Sequence, residues 1–284
     1  MDAFQAVVYG LVQGLTEFLP VSSSAHLRIT AGISGWEDPG AAFTAVIQIG
    51  TELAVLLYFR YDIARILSAW GRSLRGGAAG IRRDWATDTD ARMGWLIIIG
   101  TIPIGLLGIL LQDSIKTAFR DLHLIAATLI VFGLLLGFAD IVARNRRPLD
   151  ELTPRDGLLY GFAQALALIP GVSRSGGTIT AGLLLGYKRE AAARYAFLLA
   201  VPAVLASGLY ELKDIGGANT PSWGPTILAA VISFAVGFSV IAWLMRFITT
   251  RSFAPFVVYR VALGILLLVL IATGAVDPNA ASSI

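Results

Sequence analysis

Cysteine is absent from the 284 residues and histidine occurs only twice. Disulfides, thiolate catalysis and thiolate metal sites are thereby excluded, although the absence says little about compartment. Charge is scarce too. Only 14% of residues are charged against 56% hydrophobic, whereas an ordinary globular domain carries about a quarter charged residues. Such a chain has the bilayer as its solvent. Apolar stretches near 41–59, 93–112, 122–143, 191–212, 223–245 and 254–274 each approach the ~20 residues that a spanning helix needs. Two shorter ones, near 4–18 and 157–169, read as half-helices or re-entrant segments. Met1-Asp2 offers no basic n-region and no small-residue cleavage site follows, so the first segment is expected to be retained structure. No GxxxxGK[ST] nucleotide loop is present.

One unusual passage occurs twice. YGLVQGLTEFLPVSSS at 9–24 aligns without a gap on YGFAQALALIPGVSRS at 160–175. At this constant offset Tyr9 matches Tyr160, Gly10 matches Gly161, Gln13 matches Gln164, Ser22 matches Ser173 and Ser24 matches Ser175. Each copy ends an apolar helix at proline and opens a run of hydroxyls. The expected architecture is an all-α polytopic membrane protein, a single integral membrane domain over 1–284 with repeat halves of about 1–143 and 150–275.

The basic residues suggest an orientation. Arg60, Arg65, Arg72, Arg75, Arg82, Arg83 and Arg92 fall in one polar stretch, and Arg144, Arg146, Arg147 and Arg155 in another. Lys188, Arg189, Arg194, Arg246, Arg251 and Arg260 are assigned to the same side, leaving Arg28, Lys116, Arg120 and Lys213 opposite and Arg174 alone at membrane depth. The positive-inside rule makes the larger set cytoplasmic. The two breaks are then entered from opposite sides, as in inverted repeats whose discontinuous helices meet near the midplane. Residues 71–91 are expected to form an interfacial loop. The net charge of +3 is accounted for by this border beside anionic headgroups, so nucleic acid is not expected as a partner.

Ionisable groups at membrane depth are costly and mark function by default. Gln13 and Glu17 are four apart and share a helix face. Pro20 ends or kinks that helix, freeing backbone groups that lipid cannot satisfy. Ser22, Ser23, Ser24 and His26 follow, so a hydroxyl, an imidazole and a carboxylate occur in one short passage, the ingredients of nucleophilic or acid–base chemistry. His123, at the outer end of a span, is expected to be structural. In the second break, Gly171, Gly176 and Gly177 allow backbone N–H groups to turn inward, and a helix starting near Gly176 would aim its positive end at the same point. Ser173, Ser175 and Thr178 add hydroxyls, and Arg174 a planar fork suited to two oxygens of one phosphate. The plain alternative is a Gly-rich helix junction in which Arg174 merely pairs with Glu17.

QGLTEFLPVSSSAH together with PGVSRSGGT resembles the two signatures of the bacterial undecaprenyl-diphosphate phosphatases, the bacitracin-resistance proteins. VIQIGTELAVLLYF at 46–59, FLLAVPAV at 197–204 and FAPFVVYR at 253–260 resemble further stretches of that family. The resemblance implies hydrolysis of a polyprenyl diphosphate to the monophosphate, recycling the lipid carrier for peptidoglycan synthesis. It also implies a multi-pass protein of the inner membrane, often a homodimer, with its centre open to the extracytoplasmic side. Carried over, the acidic motif falls on Gln13 to Glu17, the histidine on His26, the serine near phosphate on Ser23 and the arginine motif on Ser173, Arg174, Ser175 and Thr178.

The first acidic position is Gln13 here, so a two-carboxylate metal site does not follow from the motif. Glu52 is a further carboxylate whose role stays open. Glu17 would either bind Mg²⁺ or Ca²⁺ bridging to the phosphate or act as a base. Ser23 is the candidate attacking hydroxyl with His26 as proton shuttle, while attack by His26 or by water, or an exchange of roles between Ser22 and Ser23, remains open. Gln13, Ser22, Ser24, Gly171, Ser173, Ser175, Gly176, Gly177 and Thr178 are expected to line the diphosphate. Two rival functions stand beside this one. An inverted-repeat transporter or flippase would bind a lipid phosphate at the same broken helices without cleaving it. The type 2 phosphatidate phosphatase pattern fails, since Thr180 stands six after Arg174 and no histidine follows.

Overall fold

A computed structural model describes residues 1–111, 121–217 and 221–277. The chain is all-α among these residues, with only an isolated Arg147–Tyr187 bridge. Its helices are α1 (Ala3–Thr16), α2 (Ser23–Ser34), α3 (Gly40–Tyr58), α4 (Arg60–Arg75), α5 (Gly77–Thr87), α6 (Thr89–Leu110), α7 (Leu122–Val142), α8 (Pro154–Ala165), α9 (Arg174–Leu184), α10 (Arg189–Glu211), α11 (Trp223–Thr250) and α12 (Ala254–Ala272). Six of them, α3, α6, α7, α10, α11 and α12, are long and apolar enough to cross a membrane. They fall on the six stretches expected from hydropathy. Lys116 and Arg120, assigned to the outer side, lie outside the described residues.

Helix ends follow from local chemistry. Asp2 and Gln5 form a capping box at the start of α1, as Thr153 and Asp156 do for α8, with Pro154 in the first turn. Asp121 accepts from the N–H groups of His123 and Leu124 at the start of α7, which places His123 at an exposed helix end. The polar stretch 71–91 is not a loop. Its residues extend α4, form α5 and begin α6, because apolar positions at helical spacing (Ile66, Ala69, Trp70) turn one face of α4 onto α6, where Trp70 meets Trp95 edge-on at 5.8 Å.

The sequence repeat returns as repeated backbone. Ser22 and Ser173, at matched positions, both adopt left-handed conformations, with φ of 74° and 71°. Each is the last residue before a helix, α2 in one half and α9 in the other. Helix packing repeats as well: α1 lies along α11, and its counterpart α8 lies along α6. Matched glycines make both approaches possible. A Cβ on Gly10 would sit 2.7 Å from the Ala229 carbonyl, and one on Gly161 would sit 2.4 Å from the Gly100 carbonyl.

Buried carboxylates tie these layers together. Asp140 on α7 accepts from Arg189 (2.6 Å) and from the Phe253 N–H (2.9 Å), linking α10 and the start of α12. Asp156 accepts from Arg147, Tyr187 and Thr153. Burial alone would raise that carboxyl, but the three donors hold it below the usual carboxylate range.

Arg260 departs most from its assigned place. It is not part of a cytoplasmic border: on α12 it is fully buried and donates to the carbonyls of Pro20 (3.1 Å), Gly171 (2.7 Å), Val172 (3.0 Å) and Leu129 (3.3 Å). A guanidinium has five N–H donors in a fixed fork. Two irregular passages, whose carbonyls no helix satisfies, give such a fork its acceptors.

Candidate active site

The first break runs from the end of α1 to the first turn of α2, the second from the end of α8 to the start of α9, and the two meet. The Gly171 N–H donates to Ser22 Oγ (3.2 Å), and Ser175 Oγ donates to the Leu19 carbonyl (3.1 Å). With Arg260 donating to both, these bonds fix the breaks against each other.

Glu17 is the hub. Ser23 Oγ donates to its Oε2 at 2.5 Å and Gln13 Nε2 donates to the same oxygen at 2.8 Å. Arg174, from the second break, donates to Oε1. Nucleophile candidate, carboxylate and guanidinium are thus in direct contact, and two of the three come from different halves. Both charged side chains are mostly enclosed, Glu17 with 7% and Arg174 with 18% of its side chain accessible. The ion pair anticipated as a plain helix junction is present. It does not stand alone, however, because it also carries the Ser23 hydroxyl.

His26 lies one turn beyond Ser23, but its ring nitrogens bond elsewhere. Its Nδ1 is 2.7 Å from the Ser22 carbonyl and its Nε2 is 2.6 Å from the Tyr259 hydroxyl, with the two rings stacked at 5.5 Å. A carbonyl only accepts, so Nδ1 carries a proton, and in the neutral ring Nε2 accepts from Tyr259. The expected Ser–His contact is replaced by a histidine held in one tautomer, so proton shuttling between Ser23 and His26 is not a direct step in this geometry.

The second break is more self-satisfied than its composition suggests. Ser173 caps α9 by accepting the Gly176 N–H (3.1 Å), and its carbonyl accepts the Gly177 N–H (2.8 Å). Thr178 Oγ1 donates back to the Arg174 carbonyl at 2.7 Å. The helix therefore starts at Arg174 rather than near Gly176, and the donors expected from Gly171, Gly176, Gly177 and Thr178 are engaged within the protein. The reason is local. A serine at φ 71° can fold its hydroxyl over the first turn, as Ser and Thr do at helix starts. Ser173 and Ser175 hydroxyls are 3.1 Å apart, and Ser22 and Ser24 repeat that pairing at 3.3 Å. The small residue at position 176 is required sterically, since a Cβ there would come within 2.7 Å of the Arg260 guanidinium.

Two oxygens beside this hub have no hydrogen-bond partner, Gln13 Oε1 and Glu52 Oε1, both buried. Carboxylate, amide and hydroxyl oxygens are hard donors of the kind Mg²⁺ and Ca²⁺ prefer, so Glu17 and Gln13 fit such an ion. Sequence reasoning missed Arg260, Tyr259 and Thr51, which accepts weakly from Gln13 Nε2 at 3.5 Å. The signal for Arg260 was available: an arginine seven residues into the apolar run starting at Ala254 is too deep to belong to a border.

Six apolar spans together with a mostly buried cluster where a guanidinium, a carboxylate and a hydroxyl converge define a polytopic membrane protein with a polar centre. The chain belongs to the bacitracin resistance protein BacA family, which matches residues 6–266. It is 63% identical to "Undecaprenyl-diphosphatase 3" of Frankia alni, over 100% of this chain and 99% of that protein. "Undecaprenyl-diphosphatase" of Thermobifida fusca is 61% identical over 98% and 94%. "Undecaprenyl-diphosphatase 2" of Streptomyces coelicolor is 59% identical over 100% and 99%.

Proposed function

We propose that this chain hydrolyses undecaprenyl diphosphate to undecaprenyl phosphate and inorganic phosphate, recycling the lipid carrier for peptidoglycan synthesis. The observation that carries the mechanism is the convergence of Ser23 and Arg174 on Glu17. Glu17 Oε2 takes the proton of Ser23 as Oγ attacks the terminal phosphorus. The anhydride P–O bond breaks, and its electron pair leaves on the lipid monophosphate. Glu17 gives its proton to the departing lipid monophosphate; it then takes a proton from water as that oxygen attacks the phosphoserine, the P–Oγ bond breaks, and Oγ recovers its proton from Glu17 as inorganic phosphate leaves.

Charge spreads over the phosphoryl oxygens as the bond breaks, and Arg174 is the group placed to stabilise it. Its fork exchanges an acceptor, Glu17, for phosphate oxygens of the same chemistry. Glu17 and Gln13 would hold a divalent cation, which supplies Lewis-acid polarisation and offsets the repulsion between carboxylate and diphosphate. Tyr259 and the Ser22 carbonyl hold His26 beside the α2 start, where it fixes the turn that presents Ser23.

The finer reading of location is a bacterial inner membrane with the exposed basic residues of α4 and α5 cytoplasmic, the two halves inverted, the centre open to the extracytoplasmic side, and the chain a homodimer. The positive-inside rule supports the orientation and, by having the two breaks entered from opposite sides, the inversion. The deciding experiment measures phosphate release from prenyl diphosphates by purified protein. Ser23→Ala should lose at least about 10³-fold in turnover. A transporter would release none, and an active Ser23→Ala would remove Ser23 as the attacking group.

A further inference from the structure

We propose that Glu52 supplies the second carboxylate of the cation site, in place of the one that Gln13 does not provide on α1. The inference rests on the reading of this centre as a cation-assisted diphosphate site, and it concerns a residue from a different helix, α3.

The buried carboxylates elsewhere in the protein are provided for. Asp140 has Arg189 and a backbone N–H, and Asp156 has Arg147, Tyr187 and Thr153. Glu52 is different. It is 2% exposed in the middle of a spanning helix, its Oε1 has no hydrogen-bond partner, and no ion pair reaches it among the described residues. Arg174 and Glu17 are charged groups near enough to act on it, and its neighbour in α3, Thr51, accepts from Gln13 Nε2 at 3.5 Å. An ionisable group kept at membrane depth without a partner in its own chain calls for one from outside.

Gln13 completes the arrangement. Its Nε2 is committed to acceptors, Glu17 Oε2 at 2.8 Å and Thr51 Oγ1 at 3.5 Å, so the amide cannot be turned over without facing oxygen against oxygen. Oε1 is therefore the free end, fully buried and without a partner. Thr51, which meets Gln13, is the neighbour of Glu52 in α3, so this contact brings the two helices together at the site. Two carboxylates with an amide oxygen form a hard oxygen set. Among the described residues no three Asp, Glu or His side chains gather, but Mg²⁺ needs only one or two carboxylates when phosphate oxygens and water complete its shell. Glu17 is the sole carboxylate of the motif on α1, and Glu52 adds a second from α3.

The test titrates Mn²⁺ into the purified full-length protein in detergent and reads free ion by electron paramagnetic resonance, without substrate or turnover. Wild type should bind one ion. Glu52→Gln, which matches a neutral glutamic acid in shape, should weaken binding at least about tenfold, and Glu17→Gln should do the same. Moving the carboxylate in Gln13→Glu/Glu52→Gln should recover most of the loss. If Glu52→Gln does not fold, Glu52→Asp retracts the charge by one methylene and should weaken binding severalfold. Wild-type affinity in Glu52→Gln, or in Glu52→Asp where that variant is the one used, overturns the assignment, as does failure of the relocated carboxylate to restore binding. Loss in Glu17→Gln alone removes Glu52 but leaves the cation reading intact, whereas no binding by wild type removes both.

Discussion

Replacing Arg260 with methionine keeps most of the side-chain volume and removes every donor. Three bonds at 3.1 Å or shorter disappear, to Pro20, Gly171 and Val172, and a longer one to Leu129 goes with them. Each buried carbonyl left without a donor costs about 1–3 kcal/mol. Simple addition over the three short bonds gives about 3–9 kcal/mol, and relief from burying a charge offsets several of these. A net loss of about 2–4 kcal/mol is expected. Thermal unfolding in detergent, followed by tryptophan fluorescence, should show a midpoint lower by at least about 5 °C. Phosphate release should also fall at temperatures where the variant is folded, because the two breaks are no longer held together. Arg260→Lys keeps the charge but has three donors and no fork, so it should lie between wild type and Arg260→Met. An Arg260→Met protein that melts with wild type would refute the strut, since those carbonyls would then be satisfied some other way.

Arg174→Lys retains charge without the planar fork and should lower turnover at least about tenfold with little change in KM; wild-type turnover would show that charge alone suffices. Gly161→Ala would push a Cβ to 2.4 Å from the Gly100 carbonyl and should cost about 1–3 kcal/mol in a melting experiment. Gly105→Ala, with nothing within 4 Å of its Cβ, is the matched control, and equal melting of the two would remove the α8–α6 contact. For orientation, cysteine at the exposed Ser34 should react with an impermeant thiol reagent added outside intact cells, and cysteine at the exposed Ala79 should not. Ser73 is unsuitable as the inner reporter because it is fully buried. The reverse labelling pattern would overturn the orientation.

The spans were legible because continuous hydrophobicity over a fixed thickness is a one-dimensional signal, readable wherever it occurs. The same holds for the repeat, in which identical spacing of Ser22 and Ser173 from their matched tyrosines returned as the same left-handed turn. Contacts between halves were not legible. The pairing of Arg174 with Glu17 was the exception, anticipated as a plain junction, whereas the clasp of Arg260 on both breaks depends on how they dock. Arg260 was misplaced because charge counting treats every arginine near a loop as solvated; its depth in the apolar run was legible, but the carbonyls it meets, in two passages far off in sequence, were not. Residues 71–91 were misread for a related reason. Glycine and charge suggest a loop, but Ile66, Ala69 and Trp70 on one face made packing on α6 decisive.

The bond between Arg260 and the Pro20 carbonyl spans 240 positions, which bears on how the protein is made. The first break is synthesised some 240 residues before the residue that fastens it, which lies on α12. Until then its carbonyls must be met by water or by transient neighbours, and Ser23 and Glu17 have no fixed relation to the second half. A nascent chain stalled before α12 would carry nearly every side chain of the centre and still lack the centre itself. Assembly is therefore expected to finish in a late, cooperative step, and a truncation that removes only the last helix should yield an inserted but unlocked protein.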